Sequence, residues 1–147
     1  MRRLGVLLLC ALALPVATAR AWTWPVDGQV LRGFNFDHDH PYAAGQHRGI
    51  DISSSVGAAV LGPAEGVVSF AGTVPSGGKT VSIQTPFGTT VTLLHLGSVD
   101  VHRGALLNEG SVVGAAGPSD DPSLPAPHVY LGIRTTADPQ GYVRSAA

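Results

Sequence analysis

Short apolar runs separated by glycine and proline are the feature that most limits how this chain can fold. Glycine and proline together make up 30 of the 147 residues, and most of them lie between these runs. In the run TVSIQT, polar residues alternate with the apolar Val81 and Ile83, which is the period of a strand with one buried face. Few stretches show helical periodicity. The sequence therefore predicts an all-β fold, an antiparallel sandwich or open barrel with a groove.

The turn PFG joins TVSIQT to TTVTLLHL, and we predict that these two runs pair as a hairpin. The other candidate strands are GQVLRGF, GIDIS, AAVLG, GVVSFAG, GSVVGAAG and HVYLGIRT. Two longer loops stand out, NFDHDHPYAAGQ before His47 and PSDDPSLPAP before His128. Long loops in compact domains are often functional, and both of these precede candidate site residues.

The N-terminus has the layout of a secretory signal peptide. Two arginines precede an apolar run, Leu4–Val16, and small residues follow it. The run is too short for a permanent membrane span, so a retained N-terminal anchor is the less favoured alternative. Cleavage after Ala19 or Ala21 fits equally well. We predict a signal peptide at 1–21 and an exported domain at 22–147, placed outside the cell, in the wall or in a periplasm-like space.

Cleavage after Ala21 removes Cys10, the only cysteine, together with three arginines. The remaining chain has six basic and ten acidic residues, a balance of about −4 with histidine neutral. A domain without a basic patch is not expected to bind nucleic acid. Without a disulfide, its stability must come from its core or from a bound metal.

Histidines in three of the segments carry the candidate chemistry. His47 and Asp51 are four residues apart in QHRGID, and an extended strand would place both side chains on one face. An imidazole and a carboxylate on one face suit a divalent metal such as zinc. His95 ends the apolar run TVTLLHL, and His128 and Tyr130 share a face of HVYLGIRT. Taken singly, His47 with Asp51 and His95 are better explained as ordinary surface or core residues, and His128 with Tyr130 fits an ordinary strand with a stacked aromatic.

Taken in order, the segments HRGID, LLHLGSVDVHRGALLNEGSVVGAAG and PHVYLGIR resemble the lysostaphin-like zinc metallopeptidases. These enzymes cut peptide cross-bridges or stems in bacterial peptidoglycan. The resemblance runs from WTWPVDGQVLRGF to GYV and implies the duplicated hybrid motif fold of that family. It also implies one zinc ion, peptidoglycan peptides as the substrate, and metalloendopeptidase activity.

The resemblance assigns roles to individual residues. His47 and Asp51 match two zinc ligands of the family motif His-x-x-x-Asp. His95 matches a histidine that stabilises the reacting centre, and His128 matches the assisting histidine that opens the motif His-x-His. Tyr130 falls at the second histidine of that motif, which is the third zinc ligand.

Tyr130 therefore decides between function classes. A phenol with a reference pKa near 10 costs roughly 4 kcal/mol to deprotonate at pH 7, whereas a neutral imidazole is ready to bind a metal. Zinc lowers ligand pKa values and could offset this cost, yet a second anion beside Asp51 would make the metal less electrophilic. The loop 37–40 (Asp-His-Asp-His) could supply a replacement ligand, although a solvated loop is the favoured interpretation.

Three hypotheses follow from these residues. The chain is an active zinc endopeptidase, with His95 and His128 as catalytic residues. Alternatively, it is an inactive relative that binds cell-wall peptide or regulates a cell-wall hydrolase. The third hypothesis, a structural β-domain with incidental histidines, is disfavoured because His47, Asp51, His95 and His128 all match the family motifs.

Overall fold

The computed structural model describes residues 22–145, so the predicted signal peptide lies outside the described residues. Within this part of the chain there are strands and no helices, and hence no helix that could cross a membrane. The strands are β1 (Val30–Arg32), β2 (Gly49–Ser53), β3 (Ala59–Leu61), β4 (Gly66–Val74), β5 (Gly78–Gln84), β6 (Thr89–Val99), β7 (Leu106–Leu107), β8 (Val112–Ala116), β9 (His128–Thr135) and β10 (Tyr142–Val143).

All strand pairs are antiparallel, and the strands form one open sheet. Its main path runs β1-β2-β9-β6-β5-β4-β7, while β10 pairs with β9, and β3 pairs with β8, which also pairs with β6. The predicted all-β class is therefore confirmed. The predicted hairpin is confirmed as β5 and β6, with Val81 opposite Leu93 and Ile83 opposite Val91.

The core lies on one face of these strands and consists of aliphatic side chains. Val81 and Ile83 are fully buried, as the alternation in TVSIQT predicts. In β9, Val129, Leu131 and Ile133 are buried in the same core, which leaves His128 and Tyr130 on the opposite face. The core thus fixes which side of β9 carries the candidate site.

Strand β6 changes partners at His95. Residues 89–94 pair with β9, and residues 96–99 pair with β8. His95 has a φ of 64°, in the left-handed region that a residue with a side chain seldom adopts. This conformation costs on the order of 1–3 kcal/mol and occurs most often at functional sites. The His95 side chain lies at the point in β6 where pairing with β9 ends and pairing with β8 begins.

Candidate functional site

The strand register brings the predicted site residues together. Asp51 of β2 pairs with Tyr130 of β9, and Tyr130 also pairs with Leu94 of β6. The His47 ring lies 5.6 Å from the Tyr130 ring, and the His95 ring lies 4.9 Å from the His128 ring, measured between centroids. We call the surface formed by His47, Asp51, His95, His128 and Tyr130 the site face.

His47 and Asp51 form a close pair. His47 Nε2 lies 3.2 Å from Asp51 Oδ2, and Asp51 is only 2 % exposed. On the other side of the ring, Nδ1 donates a hydrogen bond to the carbonyl oxygen of Gly33 at 2.9 Å. This bond leaves Nε2 to face the carboxylate. The hydrogen bond with Asp51 raises the pKa of His47 above its ordinary 6.5, against the lowering effect of burial.

A cation already lies beside the Asp51 carboxylate. Arg32 of β1 is the register partner of Asp51, and its Nη1 lies 3.6 Å from Asp51 Oδ2. The same oxygen therefore faces both His47 Nε2 and a guanidinium. Because arginine stays charged throughout the physiological pH range, it compensates the charge of this buried carboxylate without a metal.

Tyr130 lies over two glycines. Gly49 and Gly132 are opposite each other in the β2–β9 ladder. A Cβ on Gly49 would come within 2.7 Å of Tyr130 Cζ, and a Cβ on Gly132 within 2.7 Å of the Tyr130 hydroxyl oxygen. The phenol thus occupies the space that these glycines leave open. Burial, followed by the neighbouring Tyr142 and Asp51, raises the pKa of Tyr130 well above its ordinary value of 10.

These side chains do not fit a catalytic zinc ion held by three protein ligands. The separation of His47 Nε2 and Asp51 Oδ2 suits two ligands of a tetrahedral zinc, whose neighbouring donor atoms are roughly 3.3 Å apart. Tyr130, which the resemblance assigns to the third ligand position, is a neutral phenol seated over glycines. Among residues 22–145, no group of three or more His, Cys, Asp or Glu side chains is arranged to hold a metal.

The second histidine pair is oriented by hydrogen bonds. His95 Nδ1 donates to Asp120 Oδ1 at 3.0 Å, and His128 Nδ1 donates to the carbonyl oxygen of Ala126 at 2.8 Å. His128 is 1 % exposed, and its Nε2 is buried without a hydrogen-bond partner. A buried, unpaired ring nitrogen is unusual and marks a place where a further polar atom would be stabilised.

The loop that could have lent a replacement ligand makes other contacts. His40 Nδ1 lies 2.9 Å from Asp37 Oδ2, and both side chains are largely exposed. His38 Nε2 donates to the carbonyl oxygen of Tyr142 at 2.8 Å. Their contacts therefore agree with the solvated-loop interpretation.

Comparison with known proteins identifies the family. Residues 45–141 match the model described as "Peptidase family M23", and the chain belongs to this family. This confirms the resemblance to lysostaphin-like metallopeptidases. A zinc-containing peptidase from Vibrio cholerae superimposes with a TM-score of 0.70 at 25 % identity, covering 85 % of this chain and 39 % of that chain.

Two curated relatives match a shorter stretch. The "Outer membrane antigenic lipoprotein B" of Histophilus somni is 44 % identical over 59 residues, which are 40 % of this chain and 16 % of that protein. The "Murein hydrolase activator NlpD" of Salmonella typhimurium is 39 % identical over 56 residues, 38 % of this chain and 13 % of that protein. The matched segments thus span less than a fifth of either relative. These similarities support a peptidoglycan-related function and are consistent with a place in the cell envelope.

Three residues of the site were not predicted from the sequence. Arg32, Asp120 and Asp121 contact the site face or one another, and none belongs to the family motifs. The position of Arg32 in a candidate strand gave no signal of its role. Asp120 and Asp121 lie in the loop PSDDPSLPAP, whose length alone marked it as functional.

Proposed function

We propose that this chain is an exported, non-catalytic domain of the M23 family that regulates a peptidoglycan hydrolase in the cell envelope. Tyr130 is the observation that carries the proposal, because the residue that the resemblance assigns to the third ligand position is a neutral phenol seated on Gly49 and Gly132. Arg32 supports it further, since this cation compensates the Asp51 carboxylate without a metal.

The relatives support the regulatory part of the proposal. NlpD is described as a murein hydrolase activator and is 39 % identical to this chain over 56 residues, and this chain belongs to a family named for its peptidases. A domain that keeps the fold and loses the third ligand retains a surface able to bind cell-wall peptide or a partner enzyme. The predicted signal peptide at 1–21 would deliver it to the envelope.

An active zinc endopeptidase is the second candidate. Its support is that His47, Asp51, His95 and His128 are present and lie on one face of the sheet. The two candidates differ in whether the protein releases peptidoglycan fragments by itself and in whether that release needs zinc.

A release assay on dye-labelled peptidoglycan separates the candidates. The purified protein is assayed alone, with added zinc, and mixed with each purified murein hydrolase of the source organism. We expect no release by the protein alone, with or without zinc, and a several-fold stimulation of one hydrolase. Zinc-dependent release by the protein alone that is lost in Asp51→Ala would establish the endopeptidase instead. No effect in any mixture would refute the regulatory role.

A further inference from the structure

The 117–127 loop joins β8 to β9 and carries two adjacent aspartates. One of them contacts an arginine beside the site face, and the other contacts a histidine of the site face. Asp121 Oδ2 lies 3.4 Å from Arg32 Nη1, and Asp120 Oδ1 accepts the hydrogen bond from His95 Nδ1 at 3.0 Å. Arg32 in turn lies beside Asp51. Asp121 therefore connects the loop to β1, and Asp120 connects it to β6.

Further contacts hold the loop in this position. Arg32 Nη2 donates to Ser123 Oγ at 3.1 Å, so the guanidinium contacts two residues of the loop. Ser119 Oγ donates to the carbonyl oxygen of Leu124 at 2.6 Å, which ties the two arms of the loop together. The Asp120 carboxylate also approaches Gly78, where a Cβ would lie 3.2 Å from Asp120 Oδ2. These contacts give the two carboxylates defined positions.

The partners of these aspartates are the groups that proteins use to bind foreign carboxylates. An arginine fork binds carboxylates with geometric specificity, and a histidine N–H donates a charge-assisted hydrogen bond. His128 Nε2, beside His95, is a buried ring nitrogen without a partner. Because His128 Nδ1 donates to Ala126, Nε2 is an acceptor, and a hydrogen-bond donor of a ligand, such as a peptide N–H beside the carboxylates, would satisfy it.

We propose that the 117–127 loop is an internal ligand of the site face, and that Asp120 and Asp121 hold the positions taken by two carboxylates of a bound peptide. The external ligand is a peptide with two closely spaced carboxylates, which displaces the loop from His95 and Arg32. This inference deepens the proposed function and rests on it, because it names the chemistry recognised by a face that no longer catalyses.

The two contacts are exposed enough to be displaced. Asp120 is 61 % exposed and the Asp121 side chain 24 % exposed, and ion pairs at such positions contribute little to stability. The apparent affinity of a ligand falls in proportion to the fraction of molecules in which its site is open. Weakening both contacts should therefore raise the affinity for a competing carboxylate by about tenfold.

The test measures binding by calorimetry in the presence of EDTA, so that metal plays no part. One probe is the stem tripeptide of peptidoglycan with free carboxylates, and the other is a synthetic peptide with the loop sequence GPSDDPSLPAP. The amidated form of each probe is its control. The variant is Asp120→Asn with Asp121→Asn, and Asp138→Asn is the matched control, since it removes an acidic charge from another turn.

We expect the double variant to bind at least one acidic probe about tenfold tighter than the wild type or Asp138→Asn does. The amidated probes should bind all three proteins equally weakly. Binding of the stem peptide identifies peptidoglycan as the source of the carboxylates, and binding of the loop peptide alone identifies an acidic protein segment. Equal affinity of the double variant and the wild type for every probe would overturn the proposal.

A second measurement uses the wild-type protein and does not depend on how the variants fold. A saturating acidic probe should speed hydrogen exchange at the backbone amides of Ser119, Asp120, Asp121 and Ser123, and the amidated probe should leave these rates unchanged. An unchanged exchange rate with bound acidic probe would also overturn the proposal. Neither measurement involves a hydrolase, so failure to stimulate one refutes the proposed function and leaves the binding result standing.

Discussion

At the scale of single residues, the site depends on what stands at position 130. The Tyr130 ring lies over Gly49 and Gly132, and burial keeps its phenol neutral. An imidazole at this position would be ready to bind a metal near neutral pH and would start from a Cα that is paired with Asp51. A histidine at position 130 should therefore bind a metal more tightly than the tyrosine does.

We predict that Tyr130→His gains a zinc site, completed by His47 and Asp51. Zinc should then raise the melting temperature of the variant, because a metal that binds only the folded state stabilises it. Binding should be at least tenfold tighter than in the wild type by calorimetry. Tyr130→Phe, which keeps the ring and supplies no donor, is the control and should behave as the wild type. Equal zinc affinity in all three proteins would contradict the assignment of residue 130 to the third ligand position.

His47 gives the protein a pH dependence of known sign. Its pKa is raised in the folded state by the hydrogen bond with Asp51, so the folded state binds the proton more tightly than the unfolded state. The resulting stability is fully present below the unfolded pKa of about 6.5 and is lost as pH rises through the raised folded value.

In chelator-treated protein, the free energy of unfolding should therefore fall by more in the wild type than in His47→Ala when the pH rises from 6 to above the raised pKa. Urea denaturation at several pH values measures this difference. His102→Ala changes an exposed histidine outside the site and serves as the control. Parallel pH profiles for the wild type and His47→Ala would show that the pair of His47 with Asp51 does not contribute to the pH dependence of stability.

At the scale of strands, the pairing of β2 with β9 creates the space that Tyr130 fills. A Cβ on Gly132 would lie within 3.0 Å of three Tyr130 ring or hydroxyl atoms, and these are its nearest neighbours. We predict that Gly132→Ala destabilises the protein by about 1–3 kcal/mol through this overpacking. Chemical denaturation of the variant measures the cost.

The same substitution in a Tyr130→Ala background should be neutral or slightly stabilising, since alanine restricts the unfolded chain more than glycine does. The interaction energy in this double-mutant cycle isolates the contact between the two positions. Gly62→Ala is the matched control, because its Cβ would meet other atoms only at 3.6 Å. If Gly132→Ala lowered the free energy of unfolding equally in both backgrounds, the Tyr130 phenol would not contact Gly132.

The strands also show what the sequence could and could not predict. Alternation correctly predicted the buried face of β5 from TVSIQT and the shared face of His128 and Tyr130 in β9, because this pattern depends only on neighbours along the chain. The contacts of Arg32 with Asp51 and Asp121 join segments far apart in sequence, and no local pattern encodes them. The left-handed φ of His95 was equally hidden, since no glycine marks it.

At the scale of the whole molecule, one aliphatic core holds the sheet together. Leu93 lies in β6, which pairs with β5, β8 and β9, and it is fully buried. Leu93→Ala should lower the free energy of unfolding by about 2–5 kcal/mol, through lost burial and the cavity left behind. Leu106→Ala, at a leucine that is 83 % exposed, should cost less than about 0.5 kcal/mol by the same urea titration. Comparable losses would contradict the central position of Leu93.

The stability of the folded domain should not depend on a bound metal. The buried Asp51 carboxylate, which a zinc ion would otherwise neutralise, lies between His47 and Arg32 and is compensated by them. EDTA and added zinc should therefore leave the melting temperature of the wild-type protein within about 1 °C of its untreated value, because only a bound ligand shifts it. Tyr130→His under the same conditions is the positive control for zinc. A wild-type protein that loses several degrees in EDTA would hold a metal in its native state, which would contradict this prediction and favour the endopeptidase candidate.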